Sequence, residues 1–315
     1  PSNLRQACSS FTIFATEPYL VGGTWRALAK FARQHIDWPL NDTHGFELDP
    51  AKTTKILKAL ARTDPTELNT ARGISSMRAD ALPDAGALLQ ILIEELQPDR
   101  LVFSSWGLRE GLLYKRLEPA ARTQDPLLAG MAAFATPRGC APQRAARIAG
   151  WTVGAVSSAT PGRERWRLAA TMLAMASQSI EKNLRSRQSL DWALHKRWVG
   201  LSAEGRAMIA ATVLSNSGET ELPPELAMLA DANLLEEGVR LGLAIRLFRR
   251  LDGGSDKLLE ASALTAQGGR LLLSLGESRA ALRGYQLDKD LANLAARLAL
   301  DPALEVVPDE QIRRH

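Results

Sequence analysis

The feature that most restricts the fold of this chain is a change of hydrophobic period near residue 120. Beyond that point, stretches 125–148, 163–180, 187–197, 202–217 and 232–250 each carry apolar residues at helical spacing. Breaks fall between or within them at Pro137, Pro161-Gly162, Gly200, Gly218 and Pro223-Pro224. Successive amphipathic segments of this kind bury their stripes by packing on one another, so a mainly helical domain is expected over 121–315. Near its end, 258–265 and 270–274 flank Gln267-Gly268-Gly269 and read as a β-hairpin, followed by a last helix from about Asp288 to Leu300. The domain therefore closes on a small α+β region.

Before residue 120 the pattern alternates. Tyr19-Leu20-Val21 is a short apolar run that meets Gly22-Gly23-Thr24, after which Trp25, Leu28, Ala29, Ala32 and Ile36 recur at helical spacing. The expectation is a strand, a glycine turn and a helix with Thr24 as its N-cap. Further on, Asp84 precedes a stripe of Leu88, Leu89, Leu92, Ile93 and Leu96 that Pro98 terminates. Arg100-Leu101-Val102-Phe103-Ser104 follows as a buried strand ending in the loop Ser105-Trp106-Gly107. This is the order of a partial α/β domain over 1–120, and loops at the carboxyl ends of such strands are where these sheets take ligands.

A chain of 315 residues holds about two domains at the usual 100–200 residues each. Its 45% hydrophobic and 23% charged residues suit a globular protein and exclude a disordered or fibrous one. No apolar run approaches the roughly 20 residues that span a bilayer, and residues 1–10 lack the basic and apolar regions of a secretion signal, so the chain reads as cytoplasmic, with no membrane partner. Cys8 and Cys140 form no CxxC pair and read as ordinary thiols. The net charge of +4 favours acidic partners without identifying one. Arginine-rich clusters at 163–167, 185–187, 196–197 and 246–250 read either as solvated helix faces or as contacts for a polyanion.

For chemistry, Gly22-Gly23-Thr24 is the best local candidate for anion contact. Glycine allows close backbone approach, and the helix after it offers free N–H groups with partial positive charge. The same turn is also common structural punctuation. The segment 73–86 reads as a loop in which Arg78 either grips phosphate oxygens in bidentate fashion or pairs with Asp80. His35, His44, His195 and His315 are scattered, with no HExxH or His-Asp pair, and there is no Walker A loop, GxSxG elbow or GxGxxG. Residue patterns alone thus name no catalytic group and no metal ligand.

Three blocks in fixed order carry a resemblance: 19–29 (YLVGGTWRALA), 77–89 (MRADALPDAGALL) and 101–113 (LVFSSWGLREGLL). Together they resemble the second actin-like, ribonuclease H-like domain of the Ppx/GppA phosphatase family. The helical remainder is similar to the C-terminal domain of α-proteobacterial exopolyphosphatases, which is related to HD hydrolases. Where relatives often carry Ser-Asp-Ile or His-Asp, this chain reads Ser177-Gln178-Ser179-Ile180. The resemblance therefore implies a degenerate HD-like domain that binds no catalytic metal.

The family likeness implies an exopolyphosphatase, releasing orthophosphate from inorganic polyphosphate by water attack, with Mg²⁺ shielding charge and a glutamate as base. The catalytic loops of the family lie in a preceding domain, so the polypeptide is expected to be silent on its own and to contribute polyanion binding and dimerisation. Phosphate contacts are expected at Gly22, Gly23, Thr24 and Arg78, and polyanion contacts at Arg185, Arg187, Lys196 and Arg197. Guanosine pentaphosphate (pppGpp) is the alternative substrate, and a noncatalytic polyanion-binding module the alternative role. Nucleic acid is disfavoured because no aromatic residues interleave with the basic clusters. The geometric premise is that 19–24 and 100–111 lie side by side in one sheet.

Overall fold

A computed structural model describes residues 17–64, 68, 74–157, 162–251 and 261–312. The readings placed on Cys8, Gly73, Pro161, His315 and 258–260 lie outside the described residues. The chain divides into two compact units, 1–123 and 124–315.

The first unit is built on a three-stranded sheet in the order β1-β3-β2, with β1 at Tyr19–Val21, β2 at Phe46–Leu48 and β3 at Leu101–Ser104. The central strand β3 is buried along its whole length, which explains its unbroken apolar run. It pairs in parallel with β1, Leu20 opposite Phe103, and antiparallel with β2, Phe46 opposite Phe103. The premise that 19–24 and 100–111 share a sheet therefore holds. Strand β2 was not foreseen, because three residues between two helices give too short an alternation to stand out.

Helix α1, Gly23–His35, lays Ala27, Leu28, Ala29 and Ala32 on the core. Helix α2, Pro50–Leu60, starts on Asp49, whose side chain accepts from the Lys52 N–H at 2.7 Å, with Pro50 in the first turn. Thr24 is not the N-cap of α1. Gly22 takes that place with φ 136° and ψ 169°, and no side chain caps the helix. The chain turns at once after Val21, so Thr24 falls inside the first turn.

The segment read as a loop over 73–86 is instead a short helix, α3 at Ser76–Asp80, running into α4 at Leu82–Leu96. Burial of Ala79 and Leu82 supplies the reason, since both positions pack into the first unit's core. The buried face of α4 is Leu82, Gly86, Leu89 and Ile93, an i, i+4, i+7, i+11 stripe, while Leu88 is exposed. Helix α5, Leu108–Lys115, and α6, Pro119–Arg122, complete the unit.

The second unit is helical, as its pattern indicates. Its helices are α7 (Pro126–Ala135), α8 (Pro142–Val153), α9 (Glu164–Ala176), α10 (Lys182–Leu194), α11 (Ala203–Ser217) and α12 (Ala232–Leu251). In α11 every residue from Gly205 to Asn216 is buried, because α9, α10 and α12 pack around it. Gly238 and Gly242, one turn apart on α12, let the two backbones meet: a Cβ at Gly242 would lie 2.2 Å from the Thr212 carbonyl oxygen.

The unit ends in a second sheet, order β4-β5-β6, with β4 at Ser262–Gln267, β5 at Arg270–Gly276 and β6 at Asp301–Val307. Gly268 and Gly269, φ 58° and 77°, form the two-residue turn of the expected hairpin. Helix α13, Tyr285–Leu298, crosses from β5 to β6, which runs parallel to β5. The sequence reading stopped at the helix and missed β6. Pro302 disguises it, and a proline is tolerated there because β6 is an edge strand.

Candidate functional site

Parallel pairing puts the carboxyl ends of β1 and β3 on one sheet edge. Because β2 runs the other way, the residues preceding it, Asp42 to Gly45, arrive at that edge too; the Gly45 N–H donates to the Phe103 carbonyl at 2.9 Å. Three chain segments far apart in sequence thus converge: Gly22-Gly23-Thr24, Asp42–Gly45 and Ser104–Gly107.

The first turn of α1 holds no acidic residue and no capping side chain, so its N–H groups and the positive end of its dipole face the edge uncompensated. The Arg78 guanidinium lies over this turn. A Cβ built on Gly23 would come within 3.1 Å of Arg78 Nε and 3.3 Å of Nη2. Arg78 is exposed, and no ion pair joins it to Asp80 among the described residues. Of the two readings left open for Arg78, the pairing with Asp80 is absent here, and the arginine stands beside the glycine turn. Gly22, Gly23, Thr24 and Arg78 are therefore brought together.

The β3 loop is held by a polar net. Ser104 Oγ donates to the Trp106 carbonyl at 2.9 Å and accepts from the Trp106 N–H at 3.0 Å. Thr43 Oγ1 and Ser105 Oγ are 2.9 Å apart, and Ser105 Oγ donates to Asp42 Oδ1 at 3.4 Å. Asp42 Oδ1 also accepts from the His44 N–H at 3.0 Å, and the His44 ring stacks on Trp106 with centroids 4.5 Å apart. Arg26 Nη1 donates to the Ser105 carbonyl at 3.4 Å, tying α1 to this loop. Gly107 crosses close over β1, where a Cβ would sit 3.2 Å from Val21 Cγ1. Its N–H donates to Glu110 Oε2 at 2.7 Å, and that bond, with the Glu110 N–H, holds the Glu110 carboxyl below the usual carboxylate range.

Chemically this edge presents hydrogen-bond donors and a guanidinium, with no activated nucleophile among the described residues. Ser104 Oγ lies 3.4 Å from His44 Nδ1, but the hydroxyl is committed to Trp106. Among the described residues no group of three or more His, Cys, Asp or Glu is placed to hold a metal ion.

In the second unit the four expected polyanion contacts do not form one strip. Arg185 is half-buried, donating through Nη2 to the Ile180 carbonyl at 3.0 Å and the Gln178 carbonyl at 3.4 Å. Arg187, two residues along the same helix and hence about 200° away around it, is exposed beside Leu184, Asp191 and His195. Lys196 Nζ lies over the Trp198 and Phe134 rings at 4.8 and 5.1 Å, and Arg197 is exposed. In the stretch Ser177-Gln178-Ser179-Ile180, Ser177 is fully buried and donates to the Ala174 carbonyl at 2.7 Å.

Sequence reasoning missed Arg26, Asp42, Thr43 and Ser105. For Asp42 and Thr43 the signal lay in an unrecognised strand, since Asp42–Gly45 reaches the edge through the antiparallel course of β2, whereas Ser105 stood in the loop expected after β3 and Arg26 in the helix expected after the glycine turn.

Residues 3–120 match the model of the Ppx/GppA phosphatase family, a span that includes every strand and helix of the first unit up to the start of α6. The match stops short of the helical unit. No curated protein matches the chain.

Proposed function

We propose that the chain is part of a Ppx/GppA-type phosphohydrolase, an exopolyphosphatase, and that its first unit is one wall of a crevice gripping a phosphate chain. The carrying observation is the pairing of β1 with β3, which brings Gly22, Gly23, Thr24 and Arg78 to the edge where α/β sheets take anionic ligands. Non-bridging oxygens would accept from the first-turn N–H groups of α1 and from Arg78, and Gly23 keeps that approach open.

Phosphoryl transfer depends on positioning and on groups that stabilise developing charge from several sides. Asp42 accepts from the His44 N–H and Glu110 from the Gly107 N–H, so these two carboxylates serve as acceptors that hold the loops in place. Mg²⁺ is the cation the family implies, and it would shield phosphate charge. The described residues therefore bind and orient, and the 315-residue chain alone is silent. The second unit is a degenerate HD-like domain that adds polyanion contacts, with Arg185, Arg187, Lys196 and Arg197 as contributors, and a dimer contact.

The test is calorimetric titration of tripolyphosphate, long-chain polyphosphate and pppGpp into the 315-residue chain. Arg78→Gln should weaken polyphosphate binding about tenfold or more, the loss expected for one charge-assisted hydrogen bond. Unchanged affinity removes the crevice assignment, and robust orthophosphate release by the wild-type chain removes its silence. Tighter binding of pppGpp than of a polyphosphate of equal charge would move the substrate to guanosine pentaphosphate.

A further inference from the structure

We infer that the second unit holds a binding site for a phosphate-type oxyanion, made by Arg185, Arg246 and Arg249 beside Asn216. Arg246, Arg249 and Arg250 occupy the last turns of α12, and Arg185 approaches from α10. Among the described residues only one carboxylate, the buried Asp290, answers these four guanidiniums: it accepts from Arg246 Nε at 3.1 Å and from Arg250 Nε at 2.6 Å. Among the described residues no carboxylate forms an ion pair with Arg249, and Asp290 only partly offsets its charge. Its Nη1 donates to Asn216 Oδ1 at 3.2 Å and to the Asn216 carbonyl at 3.4 Å, while Asn216 is fully buried and donates to the Ala174 carbonyl at 3.3 Å.

Arg185 supplies the second, independent sign. Its Nη2 is fixed on the Ile180 and Gln178 carbonyls, yet its Nε is buried with no hydrogen-bond partner. A buried donor left unmade is costly, and a bound anion would satisfy it. Electrostatics agrees: burial first, and then repulsion from Arg185, Arg246 and Arg250, pushes the Arg249 guanidinium down to about 10. Cations at a helix C-terminus do favour its dipole. That accounts for Arg250, which is exposed, but not for the Arg185 charge that α10 brings into repulsion with Arg249. A tetrahedral dianion presents enough acceptor oxygens for several guanidinium forks at once, which matches this excess of donors over carboxylates.

The inference does not rest on the Arg78 crevice, and it replaces an extended strip on the helical unit with a compact site. The phosphate group could be free orthophosphate or the end of a longer phosphate chain. Thermal melting and calorimetry of the full 315-residue chain with orthophosphate and with pyrophosphate, against potassium chloride at equal ionic strength, decide it. Both phosphates should raise the melting temperature above the chloride control. Arg249→Gln and Arg185→Gln should each weaken pyrophosphate binding about tenfold or more, the loss expected for one charge-assisted hydrogen bond. Arg270→Gln, exposed at the β4–β5 turn, should change nothing, and Arg78→Gln should keep the pyrophosphate-dependent rise. Stronger binding of pyrophosphate assigns the site to a chain end, and equal binding assigns it to a single phosphate. Stabilisation by chloride equal to that by phosphate, or wild-type affinity in the arginine variants, overturns the site; circular dichroism identifies any variant that fails to fold, in which case the other decides.

Discussion

Arg78 rests on Gly23: a methyl group at that glycine would stand 3.1 Å from the arginine Nε, too near for the side chain to keep its place. The two residues come from different helices, and their contact sets a guanidinium over the free N–H groups of the first turn of α1.

Gly23→Ala should therefore leave stability nearly unchanged, because the tip of a flexible arginine moves cheaply, while polyphosphate binding weakens. Gly22→Ala should behave differently. At φ 136° an alanine is strained, and unit 1 should lose about 1–3 kcal/mol. Denaturant unfolding of both variants beside tripolyphosphate titration checks the contrast; equal destabilisation by the two would contradict it.

In the helical unit, Gly242→Ala should be severely damaging. Its methyl would lie 2.0 Å from Ser215 Oγ and 2.2 Å from the Thr212 carbonyl, and backbone cannot yield as a side-chain tip does. A loss at or above the usual overpacking range, about 3 kcal/mol, is expected. Gly150→Ala is the control: it lies exposed in α8 with nothing within 4 Å of a new methyl, so it should stabilise by about 0.5–1 kcal/mol. Paired melting curves test both signs.

Burial pushes the Cys140 thiol up to about 11, from 9.0, with Arg144 only partly opposing. The folded state thus holds the proton more tightly than the unfolded state does. The stability this contributes is full below pH 9.0 and is lost as pH rises towards 11. Alkylation mapped to the Cys140 peptide should be slow in native protein at pH 8 and fast in denaturant. Wild-type protein should also lose more stability than Cys140→Ala between pH 8 and 10. Rapid native labelling, or equal losses, would refute the burial argument.

How far the residues speak for themselves differs from element to element. Strands β1 and β3 were legible because each is a compact apolar run against a glycine or serine turn, and the buried helices because their stripes repeat over several turns. Thr24 was misplaced as a cap by one turn of logic: the positive φ of Gly22 starts the helix early, and no local pattern states a dihedral angle. Strands β2 and β6 escaped because one has three residues and the other carries Pro302, so neither alternates long enough to be seen.

Local periodicity, a property of neighbours in the chain, determined that an α/β unit precedes a helical one and that Gly22-Gly23 turns into a helix. Only tertiary structure decided which distant groups meet: Arg78 over Gly23, Asp42 and Thr43 beside Ser105, and Arg249 on Asn216. The reason is that charge and hydrogen-bond partners are chosen by packing, through strand pairing and helix crossings, and side-chain identity carries no record of who lies opposite.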